Sequence, residues 1–216
     1  MNLIDTHAHI SYTDYADNIE ELIKCATDNG IKKIISIGVD LKSSEECIRL
    51  SELFEIVYAT CGIHPHESSK TPDRYIYELE DMCKLDKVVG VGEIGLDYYY
   101  DFSDRRVQNN IYNEQLELAT SINMPSVVHC RDADDDILKG IKDCSSGVGV
   151  IHCFASTLEF ANRILDTGFN ISFTGMITFV KELELVVKKI PLEKIMIETD
   201  SPYLTPKPNR GKRNEP

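Results

Sequence analysis

All six histidines of the chain fall in four short stretches: His7 and His9 in IDTHAHI, His64 and His66 in GIHPHE, His129 in VVHCRD, and His152 in VIHCF. Each stretch follows an apolar run, and none has helical spacing. Two acids hold comparable positions, Glu93 after Val91 and Gly92, and Asp200 soon after the run Ile195, Met196 and Ile197. Neutral imidazole and carboxylate together suit Mg, Mn, Zn or Fe. Residues two apart on an extended chain project to one side, so His7 and His9 can grip a single ion. The same alternation turns Cys130 and Cys153 away from the side used by His129 and His152, which argues against thiolate ligation. A carboxylate can bridge two ions about 3.5–4 Å apart. Residues 88–100 contain no lysine to serve as a carbamylated bridge, which leaves Glu93. Taken singly, these residues have plainer readings: a turn histidine pair, or Asp200 as a cap before Ser201 and Pro202. Taken together, His7, His9, Glu93, His129, His152 and Asp200 form a candidate ligand set. Asp200 would also accept the proton of a metal-activated water, which makes Glu93 and Asp200 the candidate catalytic carboxylates.

Such a set needs a fold that brings distant strand ends together. Short apolar or β-branched runs occur at 3–4, 34–37, 56–63, 88–94, 126–128, 148–151, 170–173 and 195–197. Between them lie helical spacings, such as Ile19, Leu22, Ile23 and Ala26 ending at Gly30, and Leu158, Ala161, Ile164 and Leu165 ending at Gly168. Further helices are expected near 43–54, 73–85, 104–122, 132–144 and 179–190. Alternating strands and helices imply a parallel sheet, and eight units predict an α/β fold of the (β/α)8 TIM-barrel type. An open doubly wound sheet is the alternative, weakened because nothing like GxGxxG follows the first strand. One domain, residues 1–216, is expected. After the eighth strand the chain reads SPYLTPKPNRGKRNEP, too rich in Pro, Gly and charge for the final outer helix. The domain therefore reads as C-terminally truncated, with apolar surface on strands one and eight left for further chain or another chain to cover. In a barrel the C-terminal ends of the strands form one face, where catalytic groups collect.

Composition limits the options. Hydrophobic residues make up 42% and charged residues 27%, ordinary for a soluble globular chain. A net charge of −13 argues against a nonspecific nucleic-acid coat protein. Yet residues 207–216 hold Lys207, Arg210, Lys212 and Arg213 against Glu215 alone. Seven scattered cysteines without a CxxC pair fit a reducing compartment, and neither a membrane span nor a secretory signal is legible, so a cytoplasmic protein is expected. Nothing points to a stable protein partner.

The stretches IDTHAHI, CGIHPHE, VGEIGLDYY, PSVVHCRDA, IHCFA and IETDSPYLTP with RGKRNEP resemble the TatD family of metal-dependent deoxyribonucleases, from residue 2 to residue 216. The resemblance implies an amidohydrolase-like TIM barrel with two divalent ions, magnesium first, manganese or zinc as options. It implies hydrolysis of DNA phosphodiesters, as a 3′–5′ exonuclease preferring single strands. His7, His9 and Asp200 would hold one ion and His129 and His152 the other, with Glu93 shared. His64, Arg131, Arg210 and Arg213 are the candidate substrate-phosphate contacts, and the run Tyr98, Tyr99, Tyr100 could stack on bases. Family members ordinarily continue past RNEP into further helix. Two rival readings remain: a metal-dependent amide hydrolase or deaminase acting on a small molecule, and a truncated barrel that no longer turns over.

Overall fold

Parallel strands and helices alternate along the computed structural model, which describes residues 2–12, 15, 18–100, 102–144 and 147–216. In order these are β1 (Leu3–Ala8), α1 (Ile19–Asp28), β2 (Ile31–Ile37), α2 (Leu41–Leu53), β3 (Val57–Cys61), α3 (Tyr75–Met82), β4 (Val88–Asp97), α4 (Arg105–Ser121), β5 (Ser126–Arg131), α5 (Asp134–Asp143), β6 (Gly149–Ile151), α6 (Leu158–Leu165), β7 (Asn170–Phe173), α7 (Lys181–Val187) and β8 (Ile195–Ile197). The sheet order is β1 through β8 without interruption. Past the end of β8 the chain returns to β1: Ala8 bridges Ser201 in parallel, the Asp200 amide donates to the His7 carbonyl at 2.9 Å, and the His9 amide donates to the Ser201 carbonyl at 2.8 Å. The result is a (β/α)8 barrel.

Local sequence fixes where helices start and stop. On α1, Leu22, Ile23 and Ala26 form the buried face. The chain leaves α1 and α6 through Gly30 and Gly168, whose φ angles of 99° and 94° suit glycine best. At the start of α2, the Asp40 carboxylate accepts from the Ser43 amide at 2.7 Å, while the Ser43 hydroxyl accepts from the Asp40 amide at 2.9 Å. Asp104 caps α4 and Thr157 caps α6 one way only, their side chains accepting from the Arg106 and Val107 amides and from the Phe160 amide. Most of the apolar core lies where α3 to α7 cover β3 to β8, for example Leu79, Ile94, Ile137, Phe160 and Phe173. A smaller cluster including Leu22, Ile34 and Leu50 fills the β1–β2 side.

Three strands run further than their apolar sequence. The expected runs end at residues 4, 94 and 128, whereas β1, β4 and β5 reach Ala8, Asp97 and Arg131. Their ladders continue through polar residues because those side chains have partners at the barrel mouth. Gly95 makes this possible on β4: its φ is +133°, it pairs with His129, and a Cβ there would collide with the His129 carbonyl. Conversely α3 and α7 are shorter than expected, α7 stopping four residues before Pro191.

After β8, no α-helix occurs among the described residues, and Ile4 and Ile197 stay 44% and 52% exposed. The chain instead folds back and inserts Asn214, which is 7% exposed. Its amide donates to the Pro202 carbonyl and its Nδ2 to the Thr199 carbonyl, both at 3.0 Å, and its own carbonyl accepts from Tyr15 Oη. These bonds pin the loop that carries Asp200. Replacing Asn214 with Ala should cost about 1–2 kcal/mol by leaving the Thr199 carbonyl unpaired. Thermal unfolding should then fall by roughly 2–8 °C.

Candidate metal centre

Closure of the barrel decides which side chains meet. Because β1 runs parallel to residues 199–201, His7, His9 and Asp200 come together: His7 Nε2 lies 3.3 Å from His9 Nε2, and Asp200 Oδ1 lies 3.6 Å and 3.4 Å from these two nitrogens. Glu93, anchored by its amide on the Gly38 carbonyl at 2.7 Å, divides its carboxylate. Oε2 faces His7 and His9 at 3.5 and 3.7 Å, while Oε1 faces His152, His129 and His64 at 2.7, 3.3 and 3.5 Å. Three overlapping groups therefore have the spacing to hold a cation: His7, His9 and Asp200; His7, Glu93 and His152; and His64, Glu93 and His129. The donor chemistry fits divalent metal, since ring nitrogens and carboxylate oxygens converge where a cation would relieve their mutual repulsion. Cys130 and Cys153 join none of these groups; their thiols turn to Asp134 and Thr174.

Hydrogen bonding at the far side of the ring sorts His129 from His64. His129 Nε2 pairs with Asp97 Oδ2 at 3.1 Å, so its Nδ1 is the atom that faces Glu93 and His152. This carboxylate–imidazole pairing is the arrangement that orients a metal-binding histidine. His64 differs. Its Nδ1 accepts from the His66 amide at 3.2 Å, so neutral His64 carries its proton on Nε2 and presents a donor to the centre. That suits an anionic oxygen better than a metal.

Protonation follows from the same contacts. Burial lowers the pKa of His7 and lowers that of His64 well below the ordinary imidazole value, keeping both neutral. Burial also opposes protonation of His152, but the charges of Glu93 and then Glu198 outweigh it and raise this imidazole well above its usual value. For Asp200, burial works against ionisation, yet His9 and His7 beside it hold the carboxyl below the usual range. Glu93 is held well below its range in the same way by His152 and His64, against its burial.

Sequence reading missed the residues behind these. Asp97 was passed over, although its Oδ2 serves both His129 and His66, the latter at 3.0 Å. Glu198 accepts from the Cys153 amide at 2.6 Å and from Ser172 Oγ at 2.7 Å, with Oε1 3.6 Å from His152 Nδ1. Asp5, pushed up to about 6 by burial despite its bonds to Thr199, accepts from the Thr199 hydroxyl at 2.6 Å and amide at 3.0 Å. Asp5 and Glu198 stand two residues from the candidate ligands His7 and Asp200, whereas Asp97 stands four from Glu93 and meets His129 only through the pairing of β4 with β5.

The centre floors a cavity of about 1160 Å³ that Arg131 lines as well. Arg210 and Arg213 are not in its wall. Arg210 packs on Phe179, 3.9 Å from the ring centroid, and Arg213 lies 4.9 Å from the Tyr15 ring. The basic tail thus braces the barrel end instead of crossing the cavity.

The family model described as "TatD related DNase" matches residues 4–216. The chain belongs to this family. An uncharacterised metal-dependent hydrolase of Bacillus subtilis, YabD, is 35% identical over 99% of the chain and 86% of its own length. The Escherichia coli protein named 3′–5′ ssDNA/RNA exonuclease TatD is 32% identical, over 99% of the chain and 86% of its own length. The crystal structure of YjjV, a TatD homologue from E. coli K12, superposes with a TM-score of 0.94 at 30% identity, covering 99% of this chain and 85% of that one. The protein is thus a metal-dependent hydrolase of the TatD family.

Two outcomes follow from the centre. Asp97→Asn keeps the acceptor for the Tyr99 and Tyr100 amides but loses the charge on His129; calorimetry should show affinity at the His129 group weakened about 10–100-fold, with the His7, His9 and Asp200 group little changed. A metal ion that took His152 as a ligand would have to displace the proton that the Glu93 charge favours on it, so affinity should rise with pH through neutrality. Calorimetry in buffers of different ionisation heat should detect proton release that His152→Ala removes.

Proposed function

We propose that the protein hydrolyses nucleic-acid phosphodiester bonds, acting on single-stranded DNA from the 3′ end with two divalent cations, magnesium foremost. The observation that carries this reading is the divided Glu93 carboxylate, with one oxygen toward His7 and His9 and the other toward His152 and His129. The name of the E. coli exonuclease relative supports the nucleic-acid substrate. In this reading His7, His9 and Asp200 would hold one cation and His129 and His152 the other, with Glu93 shared between them. When bound, the pair would neutralise phosphate charge and lower the pKa of a coordinated water.

The chain's own groups do the rest. Asp200, ionised and only partly exposed, receives the proton of the attacking water. His64 directs its Nε2 proton at a phosphoryl oxygen, and Arg131 at the rim meets a neighbouring phosphate.

The test is a labelled single-stranded oligonucleotide incubated with protein in Mg or Mn. Products should shorten from the 3′ end, stop on chelation, and form more slowly from duplex. Asp200→Asn should lower kcat about 10²–10⁴-fold with little change in KM. An intact oligonucleotide in the presence of folded, metal-loaded protein would overturn the reading; hydrolysis of cyclic amides by that same preparation would replace it.

A further inference from the structure

The aromatic run after β4 divides into two parts. Tyr98 is already engaged: its Oη donates to Asp136 Oδ2 at 2.6 Å and accepts from Asn109 Nδ2 at 2.5 Å, and the Arg105 guanidinium lies 4.4 Å from its ring centroid. Tyr100 and Phe102 are different. Their rings are parallel to within 5° at a centroid distance of 5.5 Å, both line the cavity, and they remain 46% and 65% exposed. His66 meets both edge-on, at 5.5 and 4.8 Å. The same His66 bonds Asp97 Oδ2, which also holds His129. One imidazole therefore separates the ring pair from the centre. Tyr100 is also tied in place, because Asp97 Oδ1 accepts from its amide at 3.0 Å. Arg131 completes the arrangement, 4.6 Å from the Tyr100 centroid and 4.1 Å from that of Tyr99.

Two large rings left wet at the cavity mouth beside Arg131, its one Arg or Lys among the described residues, suit a ligand that has a flat π face and a phosphate on the same unit. A nucleotide has both. We infer that Tyr100 and Phe102 form a stacking subsite for the nucleobase next to the reacting phosphodiester, with Arg131 on the adjoining phosphate. This rests on the nuclease reading and extends it. Every base offers a π face, so the subsite tolerates sequence, and it accepts unpaired bases because a base within a duplex has both faces covered. Preference for single strands then arises at the rim, without base-edge readout.

The test uses an oligonucleotide carrying 2-aminopurine at its 3′ end, and a second carrying an abasic unit there. Wild-type protein should quench the 2-aminopurine on binding and should cleave the abasic strand about tenfold less efficiently in kcat/KM. The double variant Tyr100→Ala with Phe102→Ala should lose the quench, bind about tenfold more weakly, which is about 1.4 kcal/mol, and no longer distinguish the two strands. Tyr100→Phe with Phe102→Trp should restore quench and discrimination. Unchanged quench and discrimination in the double variant would overturn the subsite. Equal cleavage of both strands by wild-type protein would also overturn it and leave the nuclease reading intact. Cleavage of neither strand by metal-loaded wild-type protein would instead overturn the nuclease reading, and the quench would decide the subsite alone.

Discussion

One carboxylate placed among buried imidazoles governs this molecule. Glu93 is 3% exposed and faces five histidine nitrogens through its two oxygens. A buried charge is tolerable only with close partners of opposite or convertible charge. His152 answers by holding a proton, and the others answer by offering lone pairs or N–H groups toward the same point. Such an arrangement demands that β1, β3, β4, β5, β6 and the segment after β8 end together. The barrel is the means of satisfying that demand, and its closure between His7, His9, Asp200 and Ser201 is part of the same set of bonds.

Legibility in the sequence follows from the kind of signal each part leaves. Strand cores such as Ile34–Ile37 and Asn170–Phe173, and helix ends at Gly30 and Gly168, are written in short-range pattern, and the structure has them where the pattern places them. The candidate ligand set stood out because four histidines and two carboxylates each follow an apolar run. What hydrophobicity could not report was that β1, β4 and β5 go on through those polar residues. Their ladder bonds are indifferent to side-chain polarity once the side chains have partners. Asp97, Glu198 and Asp5 were hidden for a related reason: their importance lies in which nitrogen they face, a relation between strands that no local window contains. The tail leaves a different kind of signal. Four cations in ten residues suggested phosphate binding, but Arg210 and Arg213 are committed to Phe179 and Tyr15.

Asp97 links the two levels of the site. Through Oδ2 it fixes His129 in the tautomer that aims Nδ1 inward, and it holds His66 at the rim. Through Oδ1 it fixes the backbone of Tyr99 and Tyr100. A shift of this single side chain would therefore move a candidate ligand and the aromatic rim together. Gly95 matters for the same reason, since only a residue without a Cβ lets β4 pass His129 closely enough to deliver Asp97.

Charge distribution bears on how an acidic protein could handle a polyanion. The wall formed by the start of α5 is acidic, but its members have local duties: Asp134 bonds Ser156, Asp135 pairs with Arg163 at 3.0 Å, and Asp136 accepts from Tyr98. Against them, Arg131 is the one Arg or Lys lining the cavity among the described residues. Nonspecific binding through many phosphate contacts would need a basic track, and a net charge of −13 opposes it. On the nuclease reading, affinity must come instead from cations held at the floor and from ring faces at the rim, both of which act on one or two nucleotides. That division favours a strand end, which can enter a closed barrel mouth, over the middle of a duplex, whose charge the acidic exterior repels on both sides.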